Sequence, residues 1–199
     1  MRRGGTMNGT KHQHSVLRAL RALVPHHRLR FDEVLKLAET QADHLLKLSG
    51  LSGPPFQTEI ITRLPRIKVW LEREAPVSAS THWNGQTWII VVNGADDPLR
   101  RHYSLAHELK HIIDHPFRQR LYRGSARRTA HAQAEWAAEF FAACLLVPAR
   151  WLRQIYAEGC RSVEALADHF QVSERAIENR LRQLGLPVRH AVVPMGGLV

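Results

Sequence analysis

Apolar residues recur at intervals of three and four along several stretches of the chain, and this spacing predicts amphipathic helices. The clearest stretch is 32–49, which begins at Asp32, a residue placed to cap it, and ends before Gly50. The stretch at 15–23 follows the same spacing, and a short helix is predicted at 58–64. The apolar stripe of 32–49 consists of Val34, Leu35, Ala38, Ala42, Leu45 and Leu46.

Three stretches in the middle of the chain have the composition of strands, at 67–71, 77–82 and 87–92. The dipeptide Asn84-Gly85 lies between the second and the third, and it is typical of a tight hairpin turn. Strands that precede a group of further helices predict an α+β fold.

Two longer helices are predicted after the strands. The first contains residues 104–115, with Ser104 as its start cap and Pro116 at its end. The second runs over residues 129–147 and stops at Pro148. The second helix has little polar surface, so we expect it to be mostly buried.

Two short helices are predicted at 162–170 and 173–184, on either side of Gln171-Val172. Each begins with a serine cap, and the apolar spacing across the pair is typical of a helix-turn-helix. Purely structural helix pairs show the same spacing, and Glu174 and Glu178 oppose the charge of a DNA backbone. The candidate nucleic-acid contacts on this pair are Arg175, Arg180 and Arg182.

These elements divide the chain into four parts. Residues 1–57 form an N-terminal helical segment, residues 58–150 contain the strands and the two longer helices, and residues 151–186 form a C-terminal helical part. Residues 187–199 have no periodicity, which predicts a loose or extended tail.

Composition sets limits on compartment and partners. The 199 residues are 44% hydrophobic, enough for the core of one ordinary domain. There is no run of about 18 apolar residues and no signal-peptide pattern, so we expect a cytoplasmic protein with no membrane partner. The two cysteines, Cys144 and Cys160, do not form a disulfide framework.

The formal net charge of +10 calls for a partner of opposite sign or simply favours solubility. The densest basic stretch lies between the two longer helices. It could contact nucleic acid, dock an acidic substrate protein, or form a solvated charge run. Its arginines are Arg118, Arg120, Arg123, Arg127 and Arg128.

The first longer helix carries His107-Glu108-Leu109-Lys110-His111. Residues four apart on a helix point the same way, so the two imidazoles can bind one Zn²⁺. Glu108 lies beside them and can take a proton from a water that the cation has acidified. This is the His-Glu-x-x-His pattern of zinc peptidases.

A catalytic zinc site needs a third protein ligand, and the second longer helix offers two carboxylates four residues apart, Glu135 and Glu139. One of them can bind the metal, and the other can hold a ligating imidazole by a hydrogen bond. The alternative is a solvated helix face, which the apolar surroundings of these residues disfavour.

These two helices resemble the core of the ImmA/IrrE family of metallopeptidases. Residues 101–111 are similar to the family's (Phe/Tyr)-x-Leu-Ala-His-Glu-x-x-His helix, and residues 135–148 to its Glu-x-x-Ala-(Asn/Asp)-x-Phe-Ala-x-x-Leu-Leu-Met-Pro helix. The resemblance covers roughly residues 58–186. Lys110 departs from the usual Gly and would place a long cation beside the metal face.

The resemblance implies a zincin-like fold, in which a small antiparallel or mixed sheet packs on the active-site helix. It also implies a gluzincin-like metalloendopeptidase with metal ligands His107, His111 and Glu135, the catalytic base Glu108, and Glu139 in an orienting role. The substrate that it implies is a helix-turn-helix repressor, whose cleavage would derepress stress or mobile-element genes.

Several points stay open at the level of sequence. Mn²⁺ or Fe²⁺ could occupy a His₂-carboxylate site as well as Zn²⁺. By analogy with zincins, a free edge of the strand at 88–93 could pair with an extended substrate, unless that strand is paired on both sides. The possible oxyanion or substrate contacts are His102, Tyr103, His115 and His131.

Two other classes of function compete with the peptidase. The chain could be a DNA-binding regulator that uses its C-terminal helix pair and basic stretch. It could also be an antitoxin-like interaction module in which Lys110 has silenced catalysis. In either case the metal site would be structural or inactive.

Overall fold

A computed structural model describes the backbone of residues 9–191 and the side chains of residues 16–191. Nine α-helices and three strands lie within this range. In chain order they are α1 (Gly9–Ala22), α2 (Phe31–Ser49), α3 (Glu59–Thr62), β1 (Ile67–Glu72), β2 (Ala79–Trp83), β3 (Trp88–Asn93), α4 (Pro98–Asp114), α5 (Arg118–Leu121), α6 (Ala130–Leu146), α7 (Ala149–Ala157), α8 (Val163–Phe170) and α9 (Glu174–Gln183).

The three strands form one mixed sheet in the order β1-β3-β2. β3 pairs in parallel with β1 and antiparallel with β2, and a tight turn at Asn84-Gly85 connects β2 to β3. The predicted hairpin is therefore confirmed. The idea that Trp88–Asn93 offers a free edge is wrong, because this strand is paired on both sides. The free edges of the sheet are β1 and β2.

The sheet packs on α4, and α4 packs on α6, which also contacts α2. This arrangement confirms the predicted α+β fold with a small sheet against the helix that carries the two histidines. Alternate residues of β3 explain the contact, because Trp88, Ile90 and Val92 are buried while their neighbours are half-buried.

One large hydrophobic cluster connects both ends of the described chain. The cluster includes Leu20 of α1, Leu45 of α2, Phe170 of α8 and Ile177 of α9. The N-terminal helices and the C-terminal pair therefore share the core of the central part. Within the described residues, no helix is long and apolar enough to span a membrane.

Helix boundaries correct the predictions in two places. α4 begins at Pro98, because the side chain of Asp97 accepts a hydrogen bond from the backbone N–H of Arg100 at 3.0 Å. Ser104, the predicted cap, lies inside the helix. α2 begins one residue before Asp32, which is therefore within its first turn instead of at its cap.

Candidate metal centre

The two histidines of α4 lie on the same side of the helix, four residues apart. Their Nε2 atoms are 3.1 Å apart, and the rings meet edge to face with centroids separated by 4.8 Å. Both side chains are mostly buried, with 15% of His107 and 23% of His111 exposed. The helix therefore fixes two nitrogen donors close together at the edge of the core.

Glu135 approaches the same point from α6. Its carboxylate oxygens lie 3.3 Å from Nε2 of His107 and 3.4 Å from Nε2 of His111. A tetrahedral ion with ligand bonds of about 2.0–2.1 Å would hold its donor atoms about 3.3–3.4 Å apart. The spacing of these three donors therefore fits a divalent cation such as Zn²⁺.

The protonation of His111 suits a metal ligand. Burial lowers the pKa of its imidazole to about 4, and the neighbouring His107 and Arg118 act in the same direction against Glu135 and Asp114. The ring is therefore neutral at physiological pH. A neutral imidazole keeps the lone pair that a metal requires.

Glu108 lies beside these donors and is nearly buried, with 8% of its surface exposed. Its ligand atom is within 4.8 Å of those of His107 and His111, but one of its oxygens accepts a hydrogen bond from the hydroxyl of Thr81 on β2. Glu135 makes the shorter approach to both nitrogens, so the geometry favours Glu135 as the third ligand and leaves Glu108 next to the site.

Several neighbours act on the pKa of Glu108. Burial raises the pKa of its carboxyl group above the ordinary value, and Glu135 adds to that effect. The hydrogen bond from Thr81 and the charges of His107 and His82 lower it. A carboxyl group with a raised pKa holds a proton more readily than one in water, which suits a group that accepts and returns a proton.

A cleft of about 320 Å³ opens over this cluster. Its walls include β2 on one side and α4 with the segment after it on the other. The side chains that matter most for chemistry there are Thr81, Glu108, His111, His115, Arg118 and Glu135.

The four predicted oxyanion or substrate contacts fall in different places. His115 lies on the wall of the cleft, and Nδ1 of the exposed His131 lies 3.6 Å from a carboxylate oxygen of Glu135. The hydroxyl of Tyr103 donates to the backbone oxygen of Glu139 at 3.3 Å, and burial raises the pKa of this phenol to about 12. His102 is half-buried and, like Tyr103, is not part of the cleft wall.

The structure does not bring Glu139 to the histidines. Its side chain is exposed, and its carboxylate makes no hydrogen bond or ion pair with an imidazole in the described part of the chain. The position four residues after Glu135 shares a helix face with it, but one further turn along α6 carries it away from the two imidazoles.

Lys110 does not lie beside the metal face, contrary to the expectation from sequence. Its side chain is fully buried on the side of α4 that faces α2. Its ammonium group donates to the side-chain oxygen of Gln41 and to a carboxylate oxygen of Asp114, both at 2.7 Å. Tyr122 donates a hydrogen bond to the other oxygen of Asp114. The long side chain therefore ties α4 to α2 and leaves the cleft open.

Thr81 and Trp88 are among the cleft residues that the sequence did not identify. Thr81 is 27 positions from Glu108, so only the pairing of β2 in the sheet places it there. Trp88 packs its ring edge to face against His115, with centroids 4.8 Å apart. The alternation of inward and outward side chains along β3 could have identified Trp88 as inward-facing. No local signal in the sequence indicates that its ring contacts His115.

The C-terminal pair is a helix-turn-helix in shape, yet its arginines differ in exposure. Arg180 is 2% exposed and donates to the backbone oxygen of Val147 at 3.0 Å and to Glu39 at 3.3 Å. It therefore holds α9 against the core and is not available to a phosphate, which corrects the prediction. Arg182 pairs with Glu178, and Arg175 is exposed.

Comparisons with known proteins give two findings. Residues 66–182 match the family described as the IrrE N-terminal-like domain, Peptidase M78. Among solved structures, the fold is similar to that of a Mycobacterium tuberculosis transcriptional regulator, with a TM-score of 0.60 and 18% sequence identity. The match covers 83% of this chain and 51% of that one, so the chain spans about half the length of that protein. No curated protein matches the chain.

Proposed function

The chain belongs to the IrrE N-terminal-like domain family, Peptidase M78, and we propose that it is a metal-dependent endopeptidase acting on a regulatory protein. One observation carries this proposal. Two imidazole nitrogens and the carboxylate of Glu135 approach each other to within 3.1–3.4 Å, and the carboxylate of Glu108 lies next to them.

The proposed ligands are His107, His111 and Glu135, and the proposed metal is Zn²⁺, although the same donors accept Mn²⁺ or Fe²⁺. When bound, the cation would acidify a water molecule and polarise the peptide carbonyl. The chain supplies the remaining functions through its own residues.

Glu108 accepts the proton of the attacking water and returns it to the leaving amine. Thr81 holds the carboxylate of Glu108 by a hydrogen bond and so fixes its direction. Charge that develops on the carbonyl oxygen needs a further donor, and the proposed donor is His115, which lies on the cleft wall.

We place the backbone of the substrate, in this proposal, along the free edge of β2. Ala79, Ser80 and Thr81 form one wall of the cleft, and β2 pairs with β3 on its other side only. An extended peptide could therefore add to the sheet along this edge and pass in front of Glu108.

The proposed substrate is a helix-turn-helix repressor, whose cleavage would derepress stress or mobile-element genes. Family membership supports this substrate class. Two free cysteines, Cys144 and Cys160, fit the cytoplasm as the proposed compartment. The alternative of a DNA-binding regulator receives less support, because Arg180 is engaged within the protein.

The test combines metal content with cleavage. Wild type and Glu108→Gln are purified, their metal is measured by elemental analysis, and each is incubated with a helix-turn-helix repressor from the same genome and with a mixed peptide library. Glu108→Gln should keep the metal and lose cleavage by at least about 10²-fold. The matched control Glu74→Gln changes an exposed glutamate in the same way and should behave as wild type.

Two results would reject the proposal. Cleavage that survives Glu108→Gln would remove the proposed base. A wild-type protein that binds metal stoichiometrically but cleaves neither repressor nor library would support an interaction module instead.

A further inference from the structure

A second cavity is lined by α1, the turn before β1 and two strands of the sheet, and Trp88 lines both this cavity and the metal cleft. Its volume is about 430 Å³, within the range of small-molecule sites. Arg18 and Arg21 enter it from α1, Arg66 from the turn before β1, and Trp83 and Trp88 from β2 and β3. It is therefore lined by cations and by aromatic rings.

The cations of this cavity differ in their engagement. Arg21 donates to the backbone oxygens of Ile112 and Ile113 near the end of α4. Arg18 and Arg66 are exposed, and within residues 16–191 neither guanidinium has a hydrogen-bond or ion-pair partner. Arg18 and Arg66 line the same cavity, and guanidinium groups are the donors that proteins most often use to bind a phosphate group.

The aromatic rings offer a surface for stacking. The side chain of Trp83 is 43% exposed, and its ring centroid lies 5.1 Å from that of the buried Trp88. The inner tryptophan supports the outer one from behind. An exposed indole that is held in this way can stack on a flat heterocycle.

The backbone at Arg66 is a separate observation. Its φ is 62°, in the left-handed region that glycine adopts freely and that costs energy for a long side chain. The carbonyl of Arg66 accepts a hydrogen bond from the backbone N–H of Trp88 at 2.8 Å, which holds this conformation in place. Strained residues of this kind concentrate at binding sites.

We propose that this cavity binds a free mononucleotide, with its phosphate on Arg18 and Arg66 and its base on Trp83. The combination of an exposed indole with two guanidinium groups that have no partner within residues 16–191 matches the two halves of such a ligand. The volume accommodates one nucleotide. This site is separate from the metal ligands, so the proposal does not depend on the proposed peptidase activity.

The test is calorimetric titration of the full chain with AMP. Adenosine and inorganic phosphate, each of which carries one half of AMP, are titrated separately. A short single-stranded oligonucleotide is titrated as well, because it carries the same base and phosphate groups. AMP should bind at least about tenfold more tightly than either half-ligand, since each contributes only one set of contacts. The oligonucleotide should bind no more tightly per site than AMP.

Two variants locate the site. Arg66→Gly removes one guanidinium and relieves the backbone, so it should fold at least as well as wild type and weaken AMP by about tenfold. Trp83→Leu should weaken AMP and adenosine alike but leave phosphate unchanged. The matched controls, Arg63→Ala and Trp70→Leu, change exposed residues of the same types outside the cavity and should leave AMP binding unchanged.

Four outcomes would overturn the proposal. The first is no heat of binding with millimolar AMP, and the second is equal affinity for AMP and one half-ligand. The third is unchanged AMP affinity in both cavity variants. The fourth is an oligonucleotide that binds far more tightly than AMP, which would assign the surface to a nucleic-acid strand.

Discussion

The ammonium group of Lys110 lies 2.7 Å from the side-chain oxygen of Gln41, so a buried hydrogen bond joins the metal-bearing α4 to α2. The same ammonium pairs with Asp114 one helical turn further along. Burial lowers the pKa of Lys110, and Asp114 opposes that shift. The helix that presents His107 and His111 is therefore anchored from behind by a charged group that the solvent does not reach.

Replacing Lys110 by Met should destabilise the protein strongly. The variant leaves Asp114, only 2% exposed, without its cation, and removing one partner of a buried ion pair costs about 3–5 kcal/mol. Urea unfolding followed by circular dichroism measures the change. The control Lys68→Met alters an exposed lysine of β1 and should shift the free energy of unfolding by less than about 1 kcal/mol. Equal stability of the two variants would contradict the structural role of Lys110.

Glu135→Gln and Glu139→Gln should distinguish the roles of the two α6 carboxylates in metal binding. Of these two, only Glu135 reaches both imidazoles, with carboxylate oxygens 3.3 and 3.4 Å from their Nε2 atoms. Glu135→Gln should therefore lower the affinity for the metal by about tenfold or more. Glu139 is exposed, and its variant should keep the metal. Elemental analysis after dialysis decides between them. Metal loss in Glu139→Gln would restore the orienting role that the family pattern implies.

Thr81→Val should alter the pH dependence of cleavage. The hydrogen bond from Thr81 lowers the pKa of Glu108, so its loss raises that pKa, and the base becomes protonated at a higher pH than in the wild type. The acid limb of the pH–rate profile should therefore move upward, and the neutral-pH rate should fall by about tenfold. Metal content should not change. An unshifted acid limb would show that Thr81 does not act through Glu108. The control is Thr62→Val, which makes the same change at an exposed helix position.

Cys144 should resist thiol reagents. It is 1% exposed, and burial raises the pKa of its thiol to about 12, so the reactive thiolate is scarce at neutral pH. The half-exposed Cys160 should react first. In native protein Cys160→Ser should therefore abolish fast labelling, while Cys144→Ser should label like the wild type. Fast labelling of Cys160→Ser would show that the core around α6 opens readily.

The predictions from sequence were most successful where the signal is local. The spacing of His107 and His111 and the turn at Asn84-Gly85 fix a helix face and a hairpin from neighbouring residues alone. The order of the strands is different, because β1 pairs with β3 and leaves β2 at an edge. That order depends on packing between segments far apart in the chain.

Other features could not be predicted from sequence for related reasons. Lysine is usually a surface residue, and Lys110 is buried here because both Asp114 and Gln41, which lies 69 residues earlier, accept hydrogen bonds from its ammonium group. α7 follows directly on Pro148 and is only 9 residues long, so its apolar spacing covers too few turns to indicate a helix from sequence alone. The sequence predicts Arg180 as a candidate nucleic-acid contact because it does not reveal that the guanidinium donates to Glu39 and to the carbonyl of Val147.

Gln41 also determines where the functional unit begins. It lies in α2, well before residue 66, where the match to the family starts. A recombinant fragment trimmed to the matched segment would strip α2 from α6 and leave the ammonium behind the histidines facing water. The smallest fragment worth expressing therefore extends back to α2, which lies outside the residues that match the family.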